Sequence, residues 1–298
     1  MSPRASPRLQ LLATAVLFST GGAAIKSCSL SGWQVASARS GIAALTILAL
    51  LPQARRRWTA STWVIGSIYA ATMILFVSAT KLTTAASAIY LQAAAPLYIL
   101  LLGPWMLKEP VRRQDLFFMA AIAAGFCLFF VEADLPVASA PNPPLGNLLA
   151  ALSGLAWALT VVGLRWAARG GRGDASSGPG AVGPVILAGN LIAFAVCLPA
   201  ALPFGAAAPS DWLVLAYLGV FQIGIAYSLL ASGIRHVPAL DASLLLMIEP
   251  VLNPIWAWII HDERPGPWSA AGGVLILAAA AGKTIWDGRR AATIASVG

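Results

Sequence analysis

The sequence predicts an all-α integral membrane protein with ten transmembrane helices, arranged as two inverted-topology repeats of five helices each. Charged residues make up 10% of the 298-residue chain and hydrophobic residues 59%, with a mean hydropathy of +0.79. An ordinary soluble domain carries about 25% charged residues. The apolar residues form long runs without strand-like alternation, which favours helices over a barrel. An internal repeat then divides the spans into two equal sets.

The repeat is clearest where residues 88–109 return as residues 242–263, at an offset of 154 positions. Each copy is a long apolar segment with a proline near its middle and a glutamate just past its end. The matching pairs include Ala88 with Ala242, Pro96 with Pro250, and Glu109 with Glu263. A duplicated apolar unit of this length indicates a membrane protein built from two similar halves.

A bilayer span needs about 20 mostly apolar residues, and the chain contains ten candidate segments, of which the fifth is short. In order they are 9–26, 33–51, 62–80, 85–107, 116–131, 146–167, 182–202, 212–233, 239–260 and 268–286. The first is long enough to span, so we interpret it as a retained helix rather than a cleaved signal peptide. The longest polar, proline-rich connection, 132–144, lies between the fifth and sixth spans. We therefore assign residues 1–145 to the first repeat and 146–298 to the second.

The distribution of Lys and Arg predicts the orientation. Fifteen of the 19 fall on the side of the two termini, Lys26, Lys81 and Arg264 fall on the other side, and Arg39 lies within a span. Cytoplasmic loops are enriched in Lys and Arg, so both termini are predicted to be cytoplasmic. The net charge of +8 then faces the cytosol and anionic lipid head groups, and no nucleic acid is needed as a partner.

Five spans per repeat is an odd number, which has a mechanical consequence. The second repeat must enter the membrane from the opposite side, so the two repeats are related by a pseudo-two-fold axis in the membrane plane. Inverted repeats are a recurring design of secondary transporters, because exchanging the two repeat conformations moves a cavity from one side to the other. Duplication retained only for packing is the alternative.

The repeated pattern resembles a known family. The resemblance is carried by Ala86–Glu109 followed by Gly125, by Ala242–Glu263 followed by Gly272 and Gly273, and by the similar openings Phe18–Lys26 and Trp157–Arg165. These features resemble the EamA repeat of the drug/metabolite transporter superfamily over nearly the whole chain. The length and ten-span plan are similar to the YddG-type amino-acid exporters. That resemblance implies export of aromatic and other neutral amino acids across a bacterial inner membrane.

The second copy of the repeat departs from the first around its glutamate. Asp262 and Arg264 flank Glu263, whereas Lys108 and Pro110 flank Glu109. The superfamily pattern does not name a substrate, so a multidrug exporter or an exporter of another metabolite stays open. An integral-membrane enzyme that modifies lipids is the alternative from a different class. It would need paired carboxylates or histidines near one interface, and the sequence clusters none.

Two charged side chains are predicted inside the membrane. Glu249 lies midway along the ninth span, beside Pro250 and one turn before Asn253. A carboxylate there is expensive, so it either contacts a substrate ammonium or a coupling proton, or it is a structural carboxyl bonded to a neighbouring helix. Arg39, in the second span, either binds a substrate carboxylate, which the guanidinium fits, or snorkels outward or forms a structural ion pair.

Several aromatic and amide side chains complete the predicted binding site. Trp157 falls at mid-span, whereas the other tryptophans lie at or near span ends, so its ring either stacks on a substrate or fills a gap between helices. Tyr90, Tyr227 and Gln222 are weaker candidates of the same kind. The candidate binding groups at or near the midplane are Glu249, Asn253, Trp157, Tyr90 and Tyr227. Set among apolar residues, they suit a neutral zwitterion with an apolar or aromatic side chain.

Pro96 and Pro250 are predicted hinges, because a proline inside a helix removes a backbone donor and bends or breaks the helix. No cofactor is expected: the sequence has no phosphate-binding loop, no His/Cys/Asp cluster with metal-ligand spacing and no catalytic constellation. The three cysteines are scattered and are interpreted as packing residues. Transport is therefore expected to use gradients, with a proton as one candidate coupling ion.

Overall fold

The structure of the chain, a computed structural model, describes residues 6–55, 58–108, 111, 113–131, 136–170, 182–205, 207–234, 236–237 and 239–297. These residues are almost entirely helical, so the predicted all-α class is confirmed. The helices are α1 (Pro7–Ser19), α2 (Gly21–Ser27), α3 (Gly32–Leu50), α4 (Ala60–Leu82), α5 (Ala85–Ala93), α6 (Ala95–Met106), α7 (Arg113–Leu128), α8 (Pro143–Gly170), α9 (Val182–Ala201), α10 (Pro209–Ala216), α11 (Ala226–Gly233), α12 (Ala239–Leu246), α13 (Ile248–His261) and α14 (Pro267–Val297). A 3₁₀ turn, Pro52–Arg55, follows α3, and a π-helix, Tyr217–Ile225, joins α10 to α11.

The predicted spans correspond to helical segments of the structure. Within the described ranges, nine segments are long and apolar enough to cross a membrane. They fall on nine of the ten predicted spans, and most limits agree to within a few residues. The fifth span, predicted at 116–131, is the shorter apolar helix Asp115–Leu128, so its predicted end was three residues too late.

Helix starts follow from local chemistry. Prolines occupy the first turns of α1, α6 and α10, where the missing N–H is no loss. At the start of α3, the Ser31 hydroxyl accepts a hydrogen bond from the Gln34 N–H at 3.3 Å. The Gln34 side chain in turn accepts from the Ser31 N–H at 3.0 Å. This reciprocal capping box satisfies two backbone donors that the helix itself leaves open.

Three of the predicted spans are interrupted near their middle. The first span breaks at Thr20, the fourth at Ala94, two residues before Pro96, and the ninth at Met247, three residues before Pro250. The first interruption corrects the prediction of a single continuous helix over 9–26. It coincides with two successive glycines, which have low helix propensity.

The helix packing shows the relation between the two repeats. Helix α4 packs against α8, and the helices at the equivalent positions of the opposite repeats, α11 and α1, also pack against each other. In addition, α3 contacts α9 and α7 contacts α14, and each of these contacts joins a span of one repeat to its equivalent in the other. A pseudo-two-fold axis between inverted repeats produces this pattern. The backbone repeats too, because the equivalent residues Lys108 and Asp262 both have left-handed φ, at 54° and 49°. A substrate-binding site is therefore expected where the two repeats meet.

The predicted orientation leads to a labelling experiment. In a variant lacking Cys28, Cys127 and Cys197, a cysteine replacing the exposed Ala138 should react with an impermeant thiol reagent added outside intact cells. A cysteine replacing the exposed Arg289 should react only after the membrane is opened. Labelling of the position 289 variant from outside would reverse the orientation.

Candidate functional site

A cavity of about 520 Å³ lies where the two repeats meet. Its volume is within the range of about 300–1,000 Å³ usual for small-molecule sites. Helices α1, α3, α4, α5, α6 and α8 line it together with α11, α12, α13 and α14, so both repeats contribute to its wall. Pro96 and Pro250 both line it.

The irregular parts of the helices surround this cavity. Each interruption leaves backbone groups without their intrahelical partners, and such groups are tolerated at membrane depth only where they line a cavity or are buried in protein. The π-helix, in the eighth span, is a fourth irregularity and supplies Gln222 and Ile223 to the wall. In the first repeat the equivalent stretch, 63–71, is ordinary α-helix. The wall is therefore built differently by the two repeats.

Aromatic rings form much of the cavity wall. Phe18, Phe76, Trp157 and Tyr227 all line it. The rings of Phe18 and Tyr227 lie 4.9 Å apart between centroids, tilted by 59°. Among the described residues, no group accepts a hydrogen bond from the Trp157 indole N–H. An apolar or aromatic ligand would therefore find several ring faces and one open donor.

Arg39 is buried at the cavity wall, with 2% of its surface exposed. Its Nη2 donates to the Met73 sulfur at 3.2 Å, whereas Nε and Nη1 find no acceptor in the described part of the chain. A thioether is a weak acceptor, and a buried guanidinium without an anion is costly. The predicted alternatives of outward snorkelling or a structural ion pair are therefore wrong for this conformation. The guanidinium instead stays at the cavity wall with two of its nitrogen atoms unpaired among the described residues.

Glu249 supplies the opposite charge. It lies in the first turn of α13 and lines the cavity, and among the described residues its carboxyl makes no hydrogen bond or ion pair. Glu249, Arg39 and Tyr227 all line the same cavity. The cavity wall therefore contains one acidic side chain, one basic side chain and a tyrosine.

The remaining predicted site residues differ in their placement. Gln222 lines the cavity, with its Nε2 donating to the Phe18 carbonyl at 3.5 Å. Asn253 does not line it, because it is one helical turn beyond Glu249 and is buried against Gly22 of α2. Tyr90 also lies away from the cavity, packed against Gly273 and the ring of Phe129. The five predicted residues that line the cavity are Arg39, Trp157, Gln222, Tyr227 and Glu249.

Sequence reasoning missed Phe18 and Phe76 in the wall, and Tyr69 behind it. Tyr69 is fully buried and meets the Tyr227 ring edge-on at 5.9 Å. Two apolar phenylalanines in apolar spans carry no distinguishing signal. The available signal for Phe18 was the pair Gly21 and Gly22, which follows it closely and marks the interruption of the first span. Within the described part of the chain, no group of three or more His, Cys, Asp or Glu side chains could hold a metal ion.

The family model of the EamA-like transporters matches the chain twice, over residues 7–131 and 144–284. The chain belongs to the EamA-like transporter family. The two matches fall on the two predicted repeats, and membership makes this protein a multi-pass membrane transporter of the drug/metabolite type. The division at residue 145 and the individual site residues stay predictions.

Comparison of the EamA-like fold with solved structures supports the architecture. A crystal structure described only as that of a protein aligns with a TM-score of 0.60 and 22% identity, covering 94% of this chain and 97% of that chain. Similarity at this level of identity shows the fold alone. A search of curated proteins found no match.

Proposed function

We propose that this EamA-like protein is a secondary transporter that exports amino acids with aromatic or other apolar side chains across the bacterial inner membrane by alternating access. The proposal rests on the presence of both Arg39 and Glu249 in the wall of one otherwise largely apolar cavity. A free amino acid has a carboxylate for a guanidinium and an ammonium for a carboxylate. Its apolar side chain then takes the aromatic wall.

The alternating-access part of the proposal rests on the two repeats and the interrupted spans. Pro96 and Pro250 follow closely on interruptions in equivalent spans, and both line the cavity. Segments on either side of such an interruption can tilt without breaking a continuous hydrogen-bond ladder. The two prolines are therefore our proposed hinges.

The other candidate functions fit the cavity less well. A cationic drug could pair with Glu249 but would leave Arg39, whose Nε and Nη1 have no acceptor among the described residues, without an anion. An acidic metabolite without an ammonium group would leave Glu249 unpaired. A lipid-modifying enzyme would need several titratable groups at one reacting point, and the described cavity wall offers one carboxylate and no histidine.

The proposal is tested in proteoliposomes with labelled phenylalanine. Unlabelled phenylalanine and leucine should compete for transport, whereas phenethylamine, which lacks the carboxylate, and 3-phenylpropionate, which lacks the ammonium, should compete far less well. If phenethylamine competes as well as phenylalanine, the zwitterion assignment is wrong. A pH gradient imposed in either direction then tests whether a proton is the coupling ion.

A more selective prediction concerns Trp157. The Trp157→Ala variant should raise the KM for phenylalanine about 2- to 10-fold, which corresponds to about 0.5–1.5 kcal/mol for an aromatic pair. The KM for valine should change less, because valine has no ring to stack. The matched control is Trp166→Ala, since Trp166 is exposed on the same helix. Equal changes for both amino acids would show that Trp157 only fills space.

A further inference from the structure

A buried ion pair joins the two repeats at the end of the protein opposite to the start of α1. The Lys26 Nζ lies 2.9 Å from the Glu263 Oε2, and the two side chains are 4% and 3% exposed. Lys26 is near the end of α2 in the first repeat, and Glu263 lies between α13 and α14 in the second. The pair therefore connects segments that are distant in the sequence and belong to different repeats.

The hydrogen bonds around the pair tie it to further segments. Lys26 also donates to the carbonyls of Thr83, at 2.9 Å, and Ser139. Glu263 accepts a hydrogen bond from the backbone N–H of Ala85, the first residue of α5. A carboxylate is stabilised at a helix N-terminus. Lys26 thus contacts three oxygen atoms, whereas the Glu263 Oε2 meets Lys26 at ion-pair distance and accepts no hydrogen bond within the described part of the chain.

The ion pair holds three segments, and each is the half of an interrupted span that lies nearer to the pair. Helix α2 belongs to the first span, α5 to the fourth, and α13 ends two residues before Glu263. The left-handed Asp262 turns the chain, and the Glu263 N–H bonds back to the Ala257 carbonyl at 3.3 Å. This helix-ending turn directs Glu263 towards the other two segments.

The same segments are tightly packed between the ion pair and the cavity. A Cβ added to Gly22 of α2 would lie 2.5 Å from the Asn253 Oδ1 and 3.0 Å from the Ala85 Cβ. No side chain larger than hydrogen fits at this contact. His261, at the end of α13, lies 2.9 Å from the Ala23 carbonyl. Helices α2, α5 and α13 therefore form a plug at the ion-pair end.

The cavity lies beyond this plug. Val161, Tyr227 and Thr284 line it. Each of them lies in the half of its span that is farther from the ion pair, because these three spans all begin at that end. Arg39, Phe76 and Ile89 also line it and lie in the halves of their spans nearer to the ion pair, so the cavity extends along the middle of the protein, with α5 and α13 between it and the ion pair.

The sequence carries the same pair of charges in exchanged form. Glu263 is equivalent to Glu109, and the similar openings Phe18–Lys26 and Trp157–Arg165 make Lys26 equivalent to Arg165. Glu109 is outside the described residues, so this is a statement about sequence. Each end of the protein is therefore predicted to carry a basic residue from the end of one repeat's first span and a glutamate that follows the other repeat's fourth span.

We propose that Lys26 and Glu263 form a latch that closes the ion-pair end while the cavity faces the opposite end, and that opens once in each transport cycle. The proposal rests on the alternating-access function proposed above. A buried ion pair contributes little net stability compared with apolar residues, but leaving one charge unpaired is strongly unfavourable. Such a pair favours one defined closed state, and water solvates both charges when that end opens.

The test measures access to the plug. In the variant lacking the three native cysteines, a cysteine replacing Asn253, which is fully buried here, reports opening through its reaction with an impermeant thiol reagent from the ion-pair side. Adding Glu263→Gln or Lys26→Met should raise the labelling rate by about tenfold or more, because the closed state loses a paired charge. The exchange Lys26→Glu with Glu263→Lys should return the rate towards that of the parent.

The matched control is Asp262→Asn, which changes the adjacent acid, 82% exposed, and leaves the labelling rate unchanged. Parent-rate labelling in both Glu263→Gln and Lys26→Met would overturn the latch. If Glu263→Gln does not fold, Glu263→Asp keeps the charge and lengthens the contact, and parent-rate labelling in that variant overturns the proposal equally. The assay needs no substrate, so failure of phenylalanine transport in the parent would refute the substrate and leave the latch result standing.

Discussion

Replacing Arg39 by methionine should abolish most transport of phenylalanine without unfolding the protein. Removing one partner of a desolvated charge contact typically costs about 2–5 kcal/mol, so the apparent affinity should fall at least about 30-fold. Methionine occupies a similar elongated volume, and the neighbouring group is already the Met73 sulfur. The thermal unfolding midpoint in detergent should stay the same or rise, because the variant no longer buries an uncompensated guanidinium.

The control for this prediction is Arg264→Met, which removes an arginine whose side chain is 72% exposed and should leave transport unchanged. Arg39→Lys keeps the charge but loses the planar fork, so it should recover only part of the transport. Parent-level transport by Arg39→Met would exclude a carboxylate contact at this position. A large fall in the unfolding midpoint would instead make Arg39 a structural residue.

Replacing Glu249 by glutamine should weaken transport of every zwitterionic substrate about 10- to 150-fold, the equivalent of a charge-assisted hydrogen bond of about 1.5–3 kcal/mol. The substitution preserves size and removes only the charge that would meet the ammonium. Inhibition by 3-phenylpropionate, which has no ammonium, should be unchanged or stronger. Arg39→Met should give the opposite pattern and lose inhibition by this compound.

The opposite effects of the two variants on inhibition by 3-phenylpropionate show which residue binds the carboxylate and which binds the ammonium, and neither variant alone does so. The transport assay should be repeated with the parent and with Glu249→Gln between about pH 5.5 and 8, because only the parent has a carboxyl at this position that could exchange a proton. If Glu249→Gln transports at the parent rate throughout, the carboxylate is structural and carries neither an ammonium nor a proton.

Five of the seven predicted substrate-binding residues line one cavity and two do not, and their roles stay predictions. Charged residues inside apolar spans are few, so Arg39 and Glu249 stood out and both line the cavity. Tyr90 and Asn253 were chosen by depth alone. Depth does not specify the face of a helix, since residues at one level can point in opposite directions. For Asn253 the depth itself was wrong, because it shares a helix face with Glu249 but lies one turn farther along α13, in the plug and outside the cavity.

The membrane class, nine of the ten spans at membrane-crossing length within the described ranges, the two repeats and, through residues shared by those repeats, the family could be predicted from the sequence alone. Those properties depend on composition and on periods that are local or repeated along the chain. The break at Thr20, the π-helix over Tyr217–Ile225 and the Lys26–Glu263 pair were decided only by the tertiary structure. Each depends on close approach between segments far apart in sequence. The physical reason is that backbone irregularity and buried charge in a membrane are tolerated only where a neighbouring helix supplies the missing partner or space.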